Sequence, residues 1–338
     1  MMLSLKKIKK LYKSMLSYLR KAYVLAKKQM QPIARYIKSK ITSWWQIVGI
    51  VIFAIVFLYY PLGGIAINNT DVPPYTAKNE NNNLYVIDTL SYLINQEVHH
   101  KMWTPNLPIF FPSYFLDDMP NFQTGILSAV STSADGLNHM NISTVNDELK
   151  QSLNKAAELL QYPGDVWLFS PQNNLIPATS SNTQYKKARR QLNIFNRYIA
   201  DNKAFVSHDA ANFTIVLSFI KKDLGKLIKR NSSYIQETQT TFFDLHADDY
   251  FYYAYGKLYA YSQILKSLGL DFKETLIKYD IYPQWTSLLK VLNRAAKLKP
   301  FFVRNGRLNS SFAPNHVAMI NYHTSLALNH LNNILNKL

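Results

Sequence analysis

The run from Ile47 to Tyr60, IVGIVIFAIVFLYY, carries no charged side chain. Trp44 and Trp45 precede it and Leu62 to Ile67 follow, which brings the apolar stretch to the roughly 20 residues a helix needs to cross a bilayer. That one stretch divides the chain into what lies before it and what lies after it. It predicts a transmembrane helix over 44–67, a basic amphipathic segment over 1–43, a linker over 68–83 and a folded domain over 84–338.

Charge orients the span. The chain has a net charge of +17, with 38 Lys and Arg against 21 Asp and Glu. Twelve of those cations precede Asp71, the first acidic residue. The remaining 26 face all 21 acids, so most of the excess is one block beside the span. Such a block holds its side of the membrane in the cytoplasm and puts the C-terminal domain outside it. The same asymmetry argues against nucleic acid as the partner. The apolar run exceeds the h-region of a cleavable signal and its basic flank exceeds an n-region, which favours a signal anchor. Cysteine is absent, so disulfides, thiolate nucleophiles and cysteine metal sites are excluded together.

Over residues 3–40, Leu5, Ile8, Leu11, Leu19 and Tyr23 recur at helical spacing with lysines on the other face. A helix of that kind can lie on an anionic leaflet, each basic side chain near the surface adding about 1 kcal/mol; the equal alternative is a partly disordered cytosolic tail whose charge only sets topology. Pro32 predicts a break ahead of the span. The polar, Pro-containing stretch from Asn68 to Asn83 reads as a linker. Asn68, Asn141, Asn212, Asn231 and Asn309 begin N-x-S/T sequons, as chance provides in an Asn-rich chain.

Beyond Leu84, apolar residues at three-and-four spacing predict helices over 84–100, 121–133, 146–161, 181–200, 209–230, 246–268, 271–279, 284–298 and 314–337. Pro163-Gly164, Pro171, Gly269, Pro283, Pro300 and Asn305-Gly306 punctuate them. Val166 to Phe169 is the best short strand candidate. The fold class is mostly α: one N-terminal transmembrane helix followed by an all-helical extracytoplasmic domain.

Phosphate loops, dinucleotide glycine patterns, H-E-x-x-H and G-x-S-x-G are all missing. No cofactor or metal is expected, and an enzyme would have to use less specific clusters. Phe110 to Gly125, FFPSYFLDDMPNFQTG, brings Asp117 and Asp118 ahead of Asn121, Phe122 and Gln123. Asn121 reads as a helix cap with a carboxylate complementing the helix N-terminus; the sharper reading is an acid/base pair on a glycan. Phe242 to Tyr261, FFDLHADDYFYYAYGKLYAY, places Asp244 as a cap before Asp248 and Asp249 in a first turn. Its tyrosines, Tyr253 and Tyr261 among them, read as rings turned inward with their hydroxyls on carboxylates or water, or as a sugar-stacking face. Lys257, four residues after Tyr253, reads first as a surface lysine, with a pair to an acid from another helix as the alternative. His316, His323 and His330 recur every seven residues, about 10.5 Å apart along an axis, too far to share an ion. The cations Lys186, Lys187, Arg189, Arg190 and Arg197 read as the solvated face of a helix whose buried stripe is Tyr185, Ala188, Leu192, Phe195 and Ile199.

These residues resemble the domain-of-unknown-function 2333 family of uncharacterised bacterial proteins. The resemblance lies in Tyr60-Pro61-Leu62-Gly63, Leu116 to Gly125, Tyr162-Pro163-Gly164 with Val166-Trp167, Ala247-Asp248-Asp249 with Phe251-Tyr252, Gly256 to Tyr261, and Asn305-Gly306-Arg307. It implies a single-pass protein of the bacterial inner membrane with a periplasmic domain, and it brings no catalytic residues. The leading expectation is an interaction or assembly module with a protein partner in the envelope. The main rival is a hydrolase or lyase acting on an envelope glycan through Asp117, Asp118, Asp248 and Asp249. Lipid or lipoprotein handling is a third reading.

Overall fold

The computed structural model describes residues 5–40, 44–68, 70, 75, 83–108, 110–112, 118–145, 147–168, 177–238, 244, 246–300, 302–306 and 314–338. The chain divides into two compact units, Met1–Tyr59 and Tyr60–Leu338.

The first unit holds α1 (Leu5–Lys40) and the start of α2 (Trp44–Ile67). Helix α1 runs through Pro32 without the predicted break. A proline inside a helix removes one backbone bond; the side chains described around it, Met30, Ile33 and Tyr36, are exposed. Within α2, the segment Trp44–Gly64 is long and apolar enough to cross a membrane by length and composition, and few of its residues are buried in the structure.

The second unit is a helical assembly. Its elements are α3 (Tyr85–Asn95), a π-helical turn (Gln96–His100), α4 (Asp118–Asn138), α5 (Asp147–Leu160), α6 (Ser181–Ala200), α7 (Ala210–Thr238), α8 (Ala247–Asp271), α9 (Lys273–Lys278), α10 (Tyr282–Ala295) and α11 (His316–Leu335). Every predicted helix is present, because apolar spacing of three and four leaves a helix one face to bury. Two three-residue strands, β1 (Ile142–Thr144) and β2 (Ala204–Val206), pair antiparallel with Ile142 opposite Val206. Neither was predicted, and Val166 to Leu168 form no strand; Phe169 lies outside the described residues.

Helix α8 is the centre. From Ala254 to Leu265 every residue is buried, so the helix is enclosed on all sides rather than along one stripe. It packs against α3, α4, α10 and α11. Against α4 the contact is backbone to backbone. A Cβ on Gly125 would stand 2.1 Å from the Tyr253 carbonyl oxygen, and one on Gly256 would stand 2.1 Å from that of Phe122. Only glycine permits that approach at either position. At the far end of α8, Gly269 leaves the notch that the Trp285 ring of α10 fills.

Helix ends are capped across the fold. The Asp271 carboxylate, at the end of α8, accepts from the backbone amides of Tyr85 and Val86 at 2.9 Å each and so caps α3. Asn196 of α6 accepts from the Leu84 amide at 2.9 Å and donates to Asp88 at 2.7 Å. Asn315 caps α11 by accepting from the Ala318 amide at 2.8 Å. The sequon residues Asn212 and Asn231 are wholly buried. Asn212 joins the β1 and α7 segments by accepting from the Asn141 amide at 2.7 Å, so its carboxamide is structural.

Candidate functional site

On α8, Asp249, Tyr253, Lys257 and Tyr261 follow one another every four residues and therefore share a face. On α4, Asn121, Thr124, Ser128 and Ser131 fall at spacings of three and four and share another. The glycine contact presses these helices together, and their polar side chains pair along the joint. Asn121 donates to Asp249 at 2.6 Å, and the Tyr253 hydroxyl donates to Ser128 Oγ at 3.2 Å.

Deeper in, α7 contributes Asp223. Its carboxylate lies 2.8 Å from Lys257 Nζ and accepts from the Tyr261 hydroxyl at 2.6 Å. Lys257 is 3% exposed, so the surface reading gives way to its alternative, a cation paired with an acid of another helix. Two turns further along α7, the Arg230 guanidinium sits over the rings of Tyr253 at 4.2 Å and Tyr250 at 4.7 Å. Complete burial, then the Asp223 charge, pushes the Tyr261 phenol well above its ordinary range; it stays protonated and donates. Inward-turned tyrosines were one of the two readings that the sequence left open, and Tyr261 follows it. Its acceptor, Asp223, was not legible there.

The other sequence candidates are distributed around this seam. Phe122 is fully buried against Tyr255 and Tyr259. Gln123 is buried and spends its carboxamide on the backbone: its oxygen accepts from the Thr104 amide at 2.9 Å and hydroxyl at 2.8 Å, and its nitrogen donates to Met102 at 2.9 Å and Glu97 at 3.2 Å. It pins the chain after the π-turn. Helix α4 starts at Asp118, earlier than predicted, so Asn121 sits within the first turns rather than at the cap. Asp118 accepts from Asn68 at 3.4 Å. Asp117 lies outside the described residues.

Asp244 is not the cap of α8, whose flanking residue is His246. Its carboxylate ties three segments together, accepting from the Tyr234 hydroxyl of α7, from Asn305 at 2.8 Å and from the His246 amide at 3.0 Å. Partial burial opposes its charge, but those donors outweigh the burial and hold the carboxyl below the usual range. Asp248 accepts from the Asp249 amide at 3.2 Å. Burial, reinforced by the Asp248 charge, pushes Asp249 up. The two acidic stretches therefore meet on one side of the domain, with Asn121–Asp249 as the join.

A groove of about 330 Å³ runs along α4 beside this seam. One wall is the α4 face with Thr124, Ser128, Ser131 and Thr132; the other holds Trp103, Tyr162 and Tyr185. The aromatic wall is locked by its own polar atoms. Trp103 Nε1 donates to the Gly164 carbonyl at 2.9 Å, Tyr185 donates to the Tyr162 carbonyl at 2.8 Å, and the two rings meet edge to face at 5.1 Å. Ser128 and Thr132 belong to groove and seam alike, since the first accepts from Tyr253 and the second lies against the Tyr261 oxygen.

Glu97, in the π-turn, also escaped the sequence reading. Its side chain is fully buried, with Lys101 Nζ at 3.4 Å and no hydrogen-bond partner among the described residues for either oxygen. Burial pushes its carboxyl up, against the pull of Lys101. Its partner stands four residues on, the spacing at which side chains of one helix face meet. Among the described residues no group of three or more His, Asp or Glu is placed to hold a metal ion. His316, His323 and His330 are half-buried, as their spacing implied.

Residues 103–244 match the DUF2333 family model, described as an uncharacterized protein conserved in bacteria. The match takes in Leu116 to Gly125, Tyr162 to Trp167 and every residue lining the groove. Tyr60 to Gly63, Ala247 to Tyr261 and Asn305 to Arg307 fall outside it. No curated protein and no solved structure matches the chain.

Proposed function

We propose that the chain is a single-pass protein of the bacterial inner membrane, with its N-terminus in the cytoplasm and a periplasmic helical domain that serves as an interaction or assembly module of the envelope. The observation that carries this reading is the use to which the candidate acids are put. Asp118, Asp244 and Asp249 each accept from a residue far away in the chain and so tie segments together, while Asp248 accepts from the neighbouring Asp249 amide in the first turn of α8. Carboxylates held that way hold the domain's shape, as caps and tethers do.

The anchor rests on α2 and on the cation block before it. Helix α1 supports a further contact, with anionic lipid. Its apolar side chains Met15, Leu19, Tyr23 and Val24 are exposed, as an interfacial helix would have them before it meets a bilayer.

A second reading, an acid-dependent enzyme on an envelope glycan, is favoured by one observation: the two acidic stretches meet at Asn121 and Asp249.

Reporter fusions test the placement. A periplasm-dependent phosphatase fused after Leu338 is expected to be active, and a cytoplasm-dependent fluorescent protein fused ahead of Met1 is expected to glow. The converse pattern, or recovery of the chain in the soluble fraction, would overturn it.

A further inference from the structure

The joint between the π-helical turn and α6 gathers cations without an acid among them. On α6, Lys186, Arg189 and Arg190 fall at spacings of three and four and share a face. That helix packs against α3 and the π-helical turn, where Glu97 and Val98 are buried while His99 and His100 emerge exposed. Burial, then the charges of Arg189, Lys186, His100 and Arg190, holds the His99 ring below its ordinary range, so these groups lie within reach of one another's fields. Among the described residues none of these side chains enters an ion pair. The acid of the turn, Glu97, is buried beside Lys101, and Asp88 of α3 is held by Asn196.

The solvated face expected from sequence does not describe Arg189. The side chain is half-buried, and its Nε is shut off from solvent with no hydrogen-bond partner among the described residues. A guanidinium keeps its charge. The fold therefore leaves a permanent cation part-desolvated, beside the like charge of Arg190. An occluded donor without a partner costs free energy, and a like charge nearby adds to the cost. Lys187, one position away, is exposed, so α6 has an open flank that Arg189 does not use. An anion that entered the joint would supply both the missing acceptor and the missing counter-charge. One carboxylate needs one guanidinium fork. Two forks, an ammonium and an imidazole converging from two elements match a group with several charged oxygens, which is the chemistry of phosphate.

We infer that the joint of the π-helical turn and α6 binds a phosphate group, held by Arg189 and Arg190, with Lys186 beside them and His99 facing it from the turn. A free phosphate and the phosphate of an anionic lipid headgroup present the same oxygens, and the test separates them. The site rests neither on the module reading nor on the placement of the domain across a membrane.

The test is calorimetric titration of the full chain in an uncharged detergent and phosphate-free buffer. One arm uses inorganic phosphate and the other dihexanoyl phosphatidylglycerol. Saturable binding is expected: in both arms if the site takes phosphate from solution, in the lipid arm alone if it takes a headgroup. Arg189→Gln should weaken it about tenfold or more, the loss of one charge-assisted contact, and His99→Asn should weaken it from the other element. Lys226→Gln removes an exposed cation of α7 and should bind as the parent does; the cations of α1 are common to every variant. In phosphate-free buffer Arg189→Gln should melt no lower than the parent, because the Nε it removes has no partner to lose. Absence of saturable binding in both arms, equal weakening by Lys226→Gln, or a lower melt for Arg189→Gln would each overturn the inference. A chain that fails here yet passes the reporter-fusion test loses the phosphate site and keeps its place in the membrane.

Discussion

Gly256→Ala is expected to lower the melting temperature of the detergent-solubilised chain by about 6–12 °C. The added Cβ would stand 2.1 Å from the Phe122 carbonyl oxygen, and what it meets is backbone, not a side chain that can turn away. Helices α4 and α8 would have to separate. That separation opens the Asn121–Asp249 and Tyr253–Ser128 pairs along with the glycine contact. Overpacking of this kind costs about 3 kcal/mol, and each kcal/mol moves the midpoint of a domain this size by about 2–4 °C. Gly225→Ala is the control. Nothing lies within 4 Å of its added Cβ on α7, so helix propensity alone acts and the melt should rise by about 0.5–1 kcal/mol worth of stability. Equal effects at both glycines would mean that α4 and α8 are not in backbone contact.

The second large effect is expected at Lys257. Lys257→Met keeps the length of the side chain and removes the charge, leaving Asp223 with only the Tyr261 hydroxyl among the contacts just described. Breaking a buried pair from one side costs about 3–5 kcal/mol. Asp223 retains 14% side-chain exposure, which places the loss at the lower end, about 3 kcal/mol. Lys257→Met combined with Asp223→Leu and Tyr261→Phe should recover most of it, because the cost of the single change is the stranded charge rather than the lost attraction, and the third change removes the buried hydroxyl that Asp223 accepts from. Urea melts of the single variants and the combined variant measure this. Additive losses would show that the side chains do not act together.

Both effects concern residues whose types were visible in the sequence and whose roles were not. Helix positions were legible because burial of one face imposes a period on the nearby sequence. The Gly125 and Gly256 contact joins positions far apart in the chain, and a glycine inside a helical pattern does not announce what approaches it. The same limit hid Asp223, which lies 34 residues before Lys257. It also hid β1 and β2, whose three-residue runs pair across the 59 residues between them and give no alternation long enough to read. What the sequence did hold was the stripe of Asp249, Tyr253, Lys257 and Tyr261. Four-residue spacing put them on one face, and the structure supplied the partners on α4 and α7. The groove escaped altogether, because its aromatic wall comes from loop and α6 residues that no local pattern joins to α4.

The central claim is that the helical domain engages a fixed component of the envelope. In-cell photo-crosslinking tests it most directly, with a photoreactive residue placed singly at Ser131 in the groove, at Tyr322 on exposed α11 and at Phe205 on β2, followed by isolation of the membranes. The account predicts a discrete, recurring adduct that forms from a restricted set of these positions. Unmodified chain from every position, or a smear that is the same from all three, would contradict it.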